Sequence, residues 1–104
     1  MAQPLIDDEH EFSDDPSAYV AFAIPDTEYP GDVYYRFHYW ETATGRRLVR
    51  DDNAHDDPTL GQHHRHGEEG NPADPDSELD FTTVWDHYDR FLMEVEHIHD
   101  RRTR

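Results

Sequence analysis

The chain of 104 residues contains no cysteine and no lysine. Without cysteine it can form neither disulfides nor thiolate metal sites, and a cysteine nucleophile is excluded. No apolar run approaches the roughly 18 residues of a membrane-spanning helix, and the first residues lack the basic start and apolar stretch of a signal peptide. These absences predict a soluble cytoplasmic protein without a membrane partner.

Positive charge is scarce, because nine arginines stand against 25 acidic residues and the net charge is −16. A chain that is only 34% hydrophobic at this charge could be disordered, but its 12% aromatic residues cluster in periodic runs, which favours a folded domain. In molar salt the Debye length falls to about 3 Å, so a dense carboxylate surface no longer repels itself. The composition therefore predicts a halophilic protein, typical of a salt-loving archaeon.

The length predicts a single domain over residues 1–104, with one modest core. Residues 1–16 are acidic and weakly apolar, and we expect them to form a loosely ordered arm. A short edge strand within this arm is an alternative that the sequence does not decide. Residues 67–76 are rich in glycine, proline and acid, and we expect a flexible acidic connector.

Three segments are predicted to form a small antiparallel sheet: 18–24, 32–41 and 46–51. The second segment alternates most clearly, and its predicted core face consists of Val33, Tyr35, Phe37 and Tyr39. The other face mixes aromatic and basic groups, which fits either a half-buried sheet surface or the floor of a binding site. Pro30-Gly31 fits the centre of a type II turn before this strand.

A long amphipathic helix is predicted over about residues 78–100, with a capping box beginning at Ser77. Apolar residues recur there at three- and four-residue steps, and the predicted stripe includes Trp85 and Phe91. The histidines of the helix are expected to be solvated rather than ligands: His87, His97 and His99. Sheet and helix together predict an α+β fold, with the helix packed on one face.

Residues 50–66, here called the His/Arg segment, are chemically unlike the rest of the chain. The segment contains four histidines, two arginines and the Asp52-Asn53 pair. Residues 36–66 as a whole hold five arginines and five acidic residues, so the remainder of the chain carries the entire net charge of −16. A neutral, histidine-rich region on so acidic a body is where an anionic ligand could approach.

Three interpretations of the His/Arg segment compete. The first is a divalent metal site made of His55, His63 and His66, although neighbouring histidines on an extended chain point in opposite directions and only His64 and His66 share a face. The second is metal-free acid–base chemistry on a phosphodiester, with arginines holding the phosphate. The third is structural, an Asx turn and a hydrogen-bonded segment. No cofactor is firmly implied.

Four motifs follow one another along the chain: Tyr34–Trp40, Gly45–Arg50, Asp52–His55 and His63–His66. In this order they resemble the TumE family, small toxin components of prokaryotic toxin–antitoxin pairs. Such proteins typically carry a Tyr-Arg-Tyr-His-Tyr strand, a hairpin, an Arg-x-Asp-Asn-Ala segment and a His-His-Lys-His cluster ahead of a C-terminal helix. The resemblance extends over about residues 18–100.

The resemblance implies a toxin that a cognate antitoxin protein silences, with RNA as a candidate target. For such a toxin we predict anion contacts from Arg36, Arg50 and Arg65. The predicted catalytic set comprises four acid–base groups and the pair that orients the segment: His38, His55, His64, His66, Asp52 and Asn53. Stacking by Tyr34 or Trp40 would tolerate salt better than phosphate attraction does. The alternative is a non-catalytic binding module, and homodimer formation stays open.

Overall fold

A computed structural model describes residues 3–53 and 62–104 of the chain. His55 therefore lies outside the described residues. The described part contains six strands, one short 3-10 turn at Pro30–Asp32 and one helix. In chain order the strands and helix are β1 Ile6–Glu11, β2 Ser17–Pro25, β3 Val33–Glu41, β4 Arg47–Asp52, β5 His64–His66, β6 Ser77–Glu78 and α1 Val84–Arg102.

The strands form one antiparallel sheet in the order β1-β2-β3-β4-β5-β6. The three predicted strands are confirmed as β2, β3 and β4, and the edge strand left open in the N-terminal arm is β1. Gly31 has φ 75° and ψ 12°, which fits the third position of a type II turn, and the Asp32 N–H donates to the Tyr29 carbonyl. This turn reverses the chain from β2 into β3.

The core lies between α1 and one face of the sheet. The predicted core face of β3 is confirmed, because Val33, Tyr35, Phe37 and Tyr39 are all buried. Phe91 of α1 is fully buried, with its ring centroid 5.5 Å from that of Phe37. The helix therefore packs on the sheet as the α+β prediction requires.

The helix begins later than the sequence suggested. Thr83 is its N-cap, and the Thr83 hydroxyl accepts a hydrogen bond from the Asp86 N–H at 3.1 Å. The expected start at Ser77 is wrong, because Ser77 and Glu78 pair with β5 as strand β6. Phe81 contributes to the core from the segment before the helix.

Two side chains of α1 are placed differently from the prediction. Trp85, expected in the buried stripe, is 50% exposed, whereas His87, expected in solvent, is only 3% exposed. Buried positions in the helix are Val84, His87, Phe91, Val95 and Ile98, which follow one line at three- and four-residue steps. Trp85 lies beside that line, at the border between the buried and the solvent-exposed side of the helix.

The C-terminal turn of α1 is held by ion pairs beside the start of β2 and the end of β3. Arg102 donates from Nε to Asp15 at 2.7 Å and from Nη1 to Glu41 at 2.9 Å. Arg102 holds the pKa of the Asp15 carboxyl below its usual value, against the opposing effect of burial.

None of the helices in the described parts of the chain has the length and apolar character that a membrane crossing needs.

Candidate functional site

The two faces of the sheet carry different residues. Directly opposed residues of antiparallel strands lie on the same face, and successive residues of a strand alternate between faces. Phe37 is opposite Asp51 and contacts Phe91, so these β3 and β4 side chains face α1. Their neighbours in each strand lie on the face opposite α1, which we call the outer face.

Two rows of polar side chains cross the outer face from β3 through β4 to β5. The first row takes one residue from each strand: Arg36, Asp52 and His64. The second row is built in the same way: His38, Arg50 and His66. Six of the residues predicted for the site are therefore brought together on one surface.

The carboxylate of Asp52 lies at the centre of these rows and is only 1% exposed. Arg50 donates a hydrogen bond from Nε to Oδ2 at 2.6 Å. Nδ1 of His64 is 3.5 Å from Oδ1, and Nε2 of His66 is 3.9 Å from Oδ2. A buried carboxylate needs such partners, since removing an isolated charge from water is very unfavourable. The three side chains around Asp52 form a compact ionisable cluster.

The ring of His66 is oriented by a residue from the acidic connector. Its Nδ1 lies 3.0 Å from Oδ2 of Asp76, and Oδ1 of Asp76 accepts the Gly67 N–H at 3.1 Å. Burial alone would raise the pKa of Asp76, but the bonds from His66 and Gly67 lower it. Asp76 is therefore an anion whose hydrogen bond directs Nε2 of His66 toward Asp52.

The connector itself is fastened beside the site. Asp74 accepts bonds from Arg65 Nη1 at 2.9 Å and from the Glu68 N–H at 2.8 Å. Gly67 approaches this segment so closely that a Cβ at Gly67 would overlap the Asp74 carbonyl oxygen. Glycine is thus required where β5 leaves the cluster.

His38 adjoins the cluster with its ring centroid 5.2 Å from that of Trp40. The pKa of His38 is lowered to about 4, mainly by burial and also by the cations Arg36, Arg50 and Arg47, while Asp52 opposes the shift. The imidazole is therefore neutral at neutral pH, and it can exchange hydrogen bonds without adding charge. A base this weak is poorly matched to proton abstraction near pH 7.

Three other predicted residues lie away from the outer face. Arg65 points to α1, where its Nε lies 3.1 Å from both carboxylate oxygens of Glu94. His63 is buried on the same side, with Nδ1 2.9 Å from the Tyr35 hydroxyl. Asn53 is buried at the end of β4, where it binds backbone groups of β3. The predicted metal set is thus not gathered, since His63 and His66 lie on opposite sides and His55 is outside the described residues.

A family model described as toxin TumE matches residues 5–99. The chain belongs to the TumE toxin family. No curated protein and no solved structure matches the chain significantly.

In this TumE-family chain, a second polar group lies beneath the sheet, on the α1 side. Asp51 is fully buried and pairs with Nη2 of Arg90 at 3.1 Å. Burial raises the pKa of Asp51 to about 7, although Arg90 and Arg65 oppose the rise. Nη2 of Arg90 also lies 3.3 Å from Nδ1 of His87. Adjacent aspartates in β4 therefore belong to separate sites, one on each face.

The sequence did not indicate Asp76 as a partner of the ionisable cluster around Asp52. The metal set predicted from the sequence combined His63 with His66, whereas the geometry joins Asp52 to the His64 and His66 pair that was expected to share a face. The spacing of His64 and His66, two residues apart in an extended segment, had already placed them on one face. Asp76 offered no such signal, since its contact with His66 depends on the fold of residues 67–76.

Proposed function

We propose that this chain is the toxin of a toxin–antitoxin pair and that it acts on phosphodiester bonds of RNA at the outer face. The observation that carries the proposal is the pair of rows across β3, β4 and β5, which join arginines, imidazoles and the Asp52 carboxylate on one surface. Membership of the TumE toxin family supports the role as a toxin. It also supports an antitoxin protein as the partner.

The charge distribution favours an anionic target at this surface. Residues 36–66 have no net charge, whereas the rest of the chain repels anions strongly. Arg36 is exposed and Arg50 is half-buried, so both guanidinium groups can reach a phosphate. Guanidinium groups bind phosphate through two parallel hydrogen bonds. Trp40, half-buried on the same face, offers a ring on which a base can stack.

The chemistry suited to this cluster is cleavage of the phosphodiester by an attacking hydroxyl. His64, His66 and Asp52 activate that hydroxyl by taking up its proton as the new P–O bond forms. The bond from phosphorus to the leaving oxygen breaks, and the leaving oxygen takes a proton from water. Arg36 and Arg50 stabilise the negative charge that collects on the phosphate oxygens.

Induced expression in a host with molar intracellular salt tests this function. We expect the parent chain to arrest growth, and we expect co-expression of an antitoxin encoded beside it to restore growth. Arg36→Ala and His64→Ala should relieve the arrest, because one removes an anion contact and the other an imidazole of the cluster. Purified parent in molar KCl should shorten labelled RNA, with each variant at least about tenfold slower.

Arg46→Ala is the matched control, because Arg46 is a half-exposed arginine that pairs with Glu68 at 3.1 Å, beside the hairpin between β3 and β4. This variant should remain toxic. Circular dichroism of each purified variant establishes that it is folded. If the parent permits normal growth and leaves RNA intact, the toxin proposal fails and a non-catalytic binding module is the better account.

We also propose that the chain is adapted to molar salt in the cytoplasm. The support is the ratio of 25 acidic residues to nine arginines, with acidic side chains at four of the six positions in β1. Lowering KCl from about 3 M to about 10 mM lengthens the Debye length from about 3 Å or less to about 30 Å, so carboxylates then repel across the whole surface. We expect the circular dichroism signal of the sheet and helix to weaken. An unchanged spectrum in 10 mM KCl would refute the adaptation.

A further inference from the structure

We propose that Asp52, His64 and His66 hold one divalent first-row transition metal ion on the outer face. The three side chains each offer one ligand atom, and these atoms all lie within 4.8 Å of one another. Two imidazoles and a carboxylate are donors that suit zinc, and the same set also suits iron, cobalt and manganese. This set differs from the one predicted from the sequence, because Asp52 and His64 take the places of His55 and His63.

The ligand atoms are close enough for side-chain movement to bring them around a shared ion. Tetrahedral zinc with bonds of about 2.0–2.1 Å places its ligands roughly 3.3–3.5 Å apart. Nδ1 of His64 is 3.5 Å from Oδ1 of Asp52, and Nε2 of His66 is 3.9 Å from Oδ2. These two distances end on different oxygens of Asp52, and the three ligand atoms lie within 4.8 Å of one another, so the side chains must move closer together around an ion.

The surroundings of His66 match those of a metal ligand. Histidine ligands usually donate their second ring N–H to a carboxylate, which fixes the ring orientation and makes the binding nitrogen more basic. Nδ1 of His66 lies 3.0 Å from Asp76, so the opposite nitrogen, Nε2, is the one directed to Asp52. Asp76 is in turn held by the Gly67 N–H. The orienting carboxylate is therefore itself positioned by backbone.

The local charge also favours a cation. Asp52 and Asp76 contribute two negative charges, which Arg50, bonded to Asp52, and Arg36, opposite Asp52 in the sheet, balance. Glu78 of β6 is directly opposite His64 in the sheet and adds another carboxylate beside the cluster. An ion held by three protein groups keeps a further position, which water or a phosphate oxygen can occupy.

Metal binding is tested on the untagged full-length protein, stripped with a chelator and kept in molar KCl. Titration with ZnCl2 alone, followed by calorimetry, should give one site per chain. Co2+ in its place should give the visible absorption bands of a coordinated ion. We expect His66→Ala and Asp52→Asn to weaken Zn2+ binding by more than the roughly 10- to 100-fold that loss of an orienting partner causes. Asp76→Asn should weaken it within that range and keep one site per chain.

His97→Ala is the matched control, because His97 is an exposed histidine of α1 and its loss should leave the Zn2+ affinity unchanged. Asp52→Asn could unfold the chain, so His66→Ala, which alters a half-buried side chain, provides the decisive comparison. The proposal is overturned if no site saturates at one Zn2+ per chain. It is equally overturned if His66→Ala binds as tightly as the parent, or if His97→Ala loses as much affinity as His66→Ala.

The role of the ion in the reaction rests on the proposed function, but its binding does not. In the reaction, an ion at this site would replace proton uptake by His64 and His66 as the means of activating the attacking hydroxyl. Stoichiometric Zn2+ binding without RNA cleavage would uphold the metal site and overturn the RNA-directed function. Undiminished cleavage by chelator-treated protein would uphold that function and exclude the ion from it.

Discussion

Phe91→Ala is expected to lower the free energy of unfolding by about 3–5 kcal/mol. Phe91 is fully buried between α1 and the sheet, and its ring centroid lies 5.5 Å from that of Phe37 and 6.0 Å from that of Tyr19. Replacement by alanine removes these contacts and leaves a cavity that the rigid sheet cannot fill. Denaturant titration in molar KCl, with the helix signal as readout, measures the loss.

Trp85→Ala provides the comparison, since the sequence placed both residues in the buried stripe of the helix. Half of the Trp85 side chain is in water, so its removal should lower the free energy of unfolding by only about 1–2 kcal/mol. Met93→Ala, at an exposed position of the same helix, should change it by no more than about 0.5 kcal/mol. Equal losses for Phe91 and Trp85 would mean that α1 is rotated relative to the arrangement described above.

Asn53→Ala is expected to lower the free energy of unfolding by about 2–4 kcal/mol. Nδ2 of Asn53 donates to the Val33 carbonyl at 2.6 Å, and Oδ1 accepts the Tyr35 N–H at 3.1 Å. Asn53 is 2% exposed, so water does not replace these bonds when the amide is removed. Leaving a buried donor and a buried acceptor unpaired is what makes the substitution severe.

Asn71→Ala is the matched control for this experiment. Asn71 also makes two hydrogen bonds through its amide, to Glu68 and to the Ala73 N–H, but it lies in a turn that water reaches. We expect a loss of about 1 kcal/mol or less. Amide hydrogen exchange at Tyr35 gives a local measure, and it should accelerate only in Asn53→Ala. The interpretation fails if the two variants lose equal stability and exchange at Tyr35 stays slow in both.

The parts of the fold that follow a simple period were predictable from the sequence. The alternation of Val33, Tyr35, Phe37 and Tyr39 fixed both the central strand and its buried face, because an extended chain repeats every two residues. β5 and β6 escaped prediction because they are three and two residues long and contain no apolar alternation. Their pairing with the preceding strands depends on a register that such short segments do not reveal in the sequence.

The burial of two helix residues was predicted wrongly because the prediction followed residue type and not position along the helix. His87 is three residues after Val84 and four before Phe91, so helical geometry places it in the middle of the buried line. Its polarity suggested solvent, yet burial lowers its pKa and favours the neutral ring, which stacks on Phe81 with centroids 5.1 Å apart. Trp85 was assigned to the core for the opposite reason, its large apolar surface.

The outer face was predictable only in part. The shared face of His64 and His66 follows from their spacing in an extended segment, and the same rule places Arg65 on the other side. The position of Asp52 between the two imidazoles depends on the register of β4 against β5, which spacing along the sequence does not determine. The register between β4 and β5 thus decides which of the predicted residues become neighbours.

The consecutive order of the strands has a consequence for how the chain folds during synthesis. Each strand of the sheet is hydrogen-bonded to the strand that precedes it in the chain, so pairing requires loop closure only between neighbours in sequence. The helix that covers the apolar face follows all six strands in the chain. Until α1 is present, the ring of Phe37 lacks its contact with Phe91, and the ring of Tyr35 lacks its contact with His87. The core therefore cannot be completed until residue 91 has been synthesised and has reached the sheet.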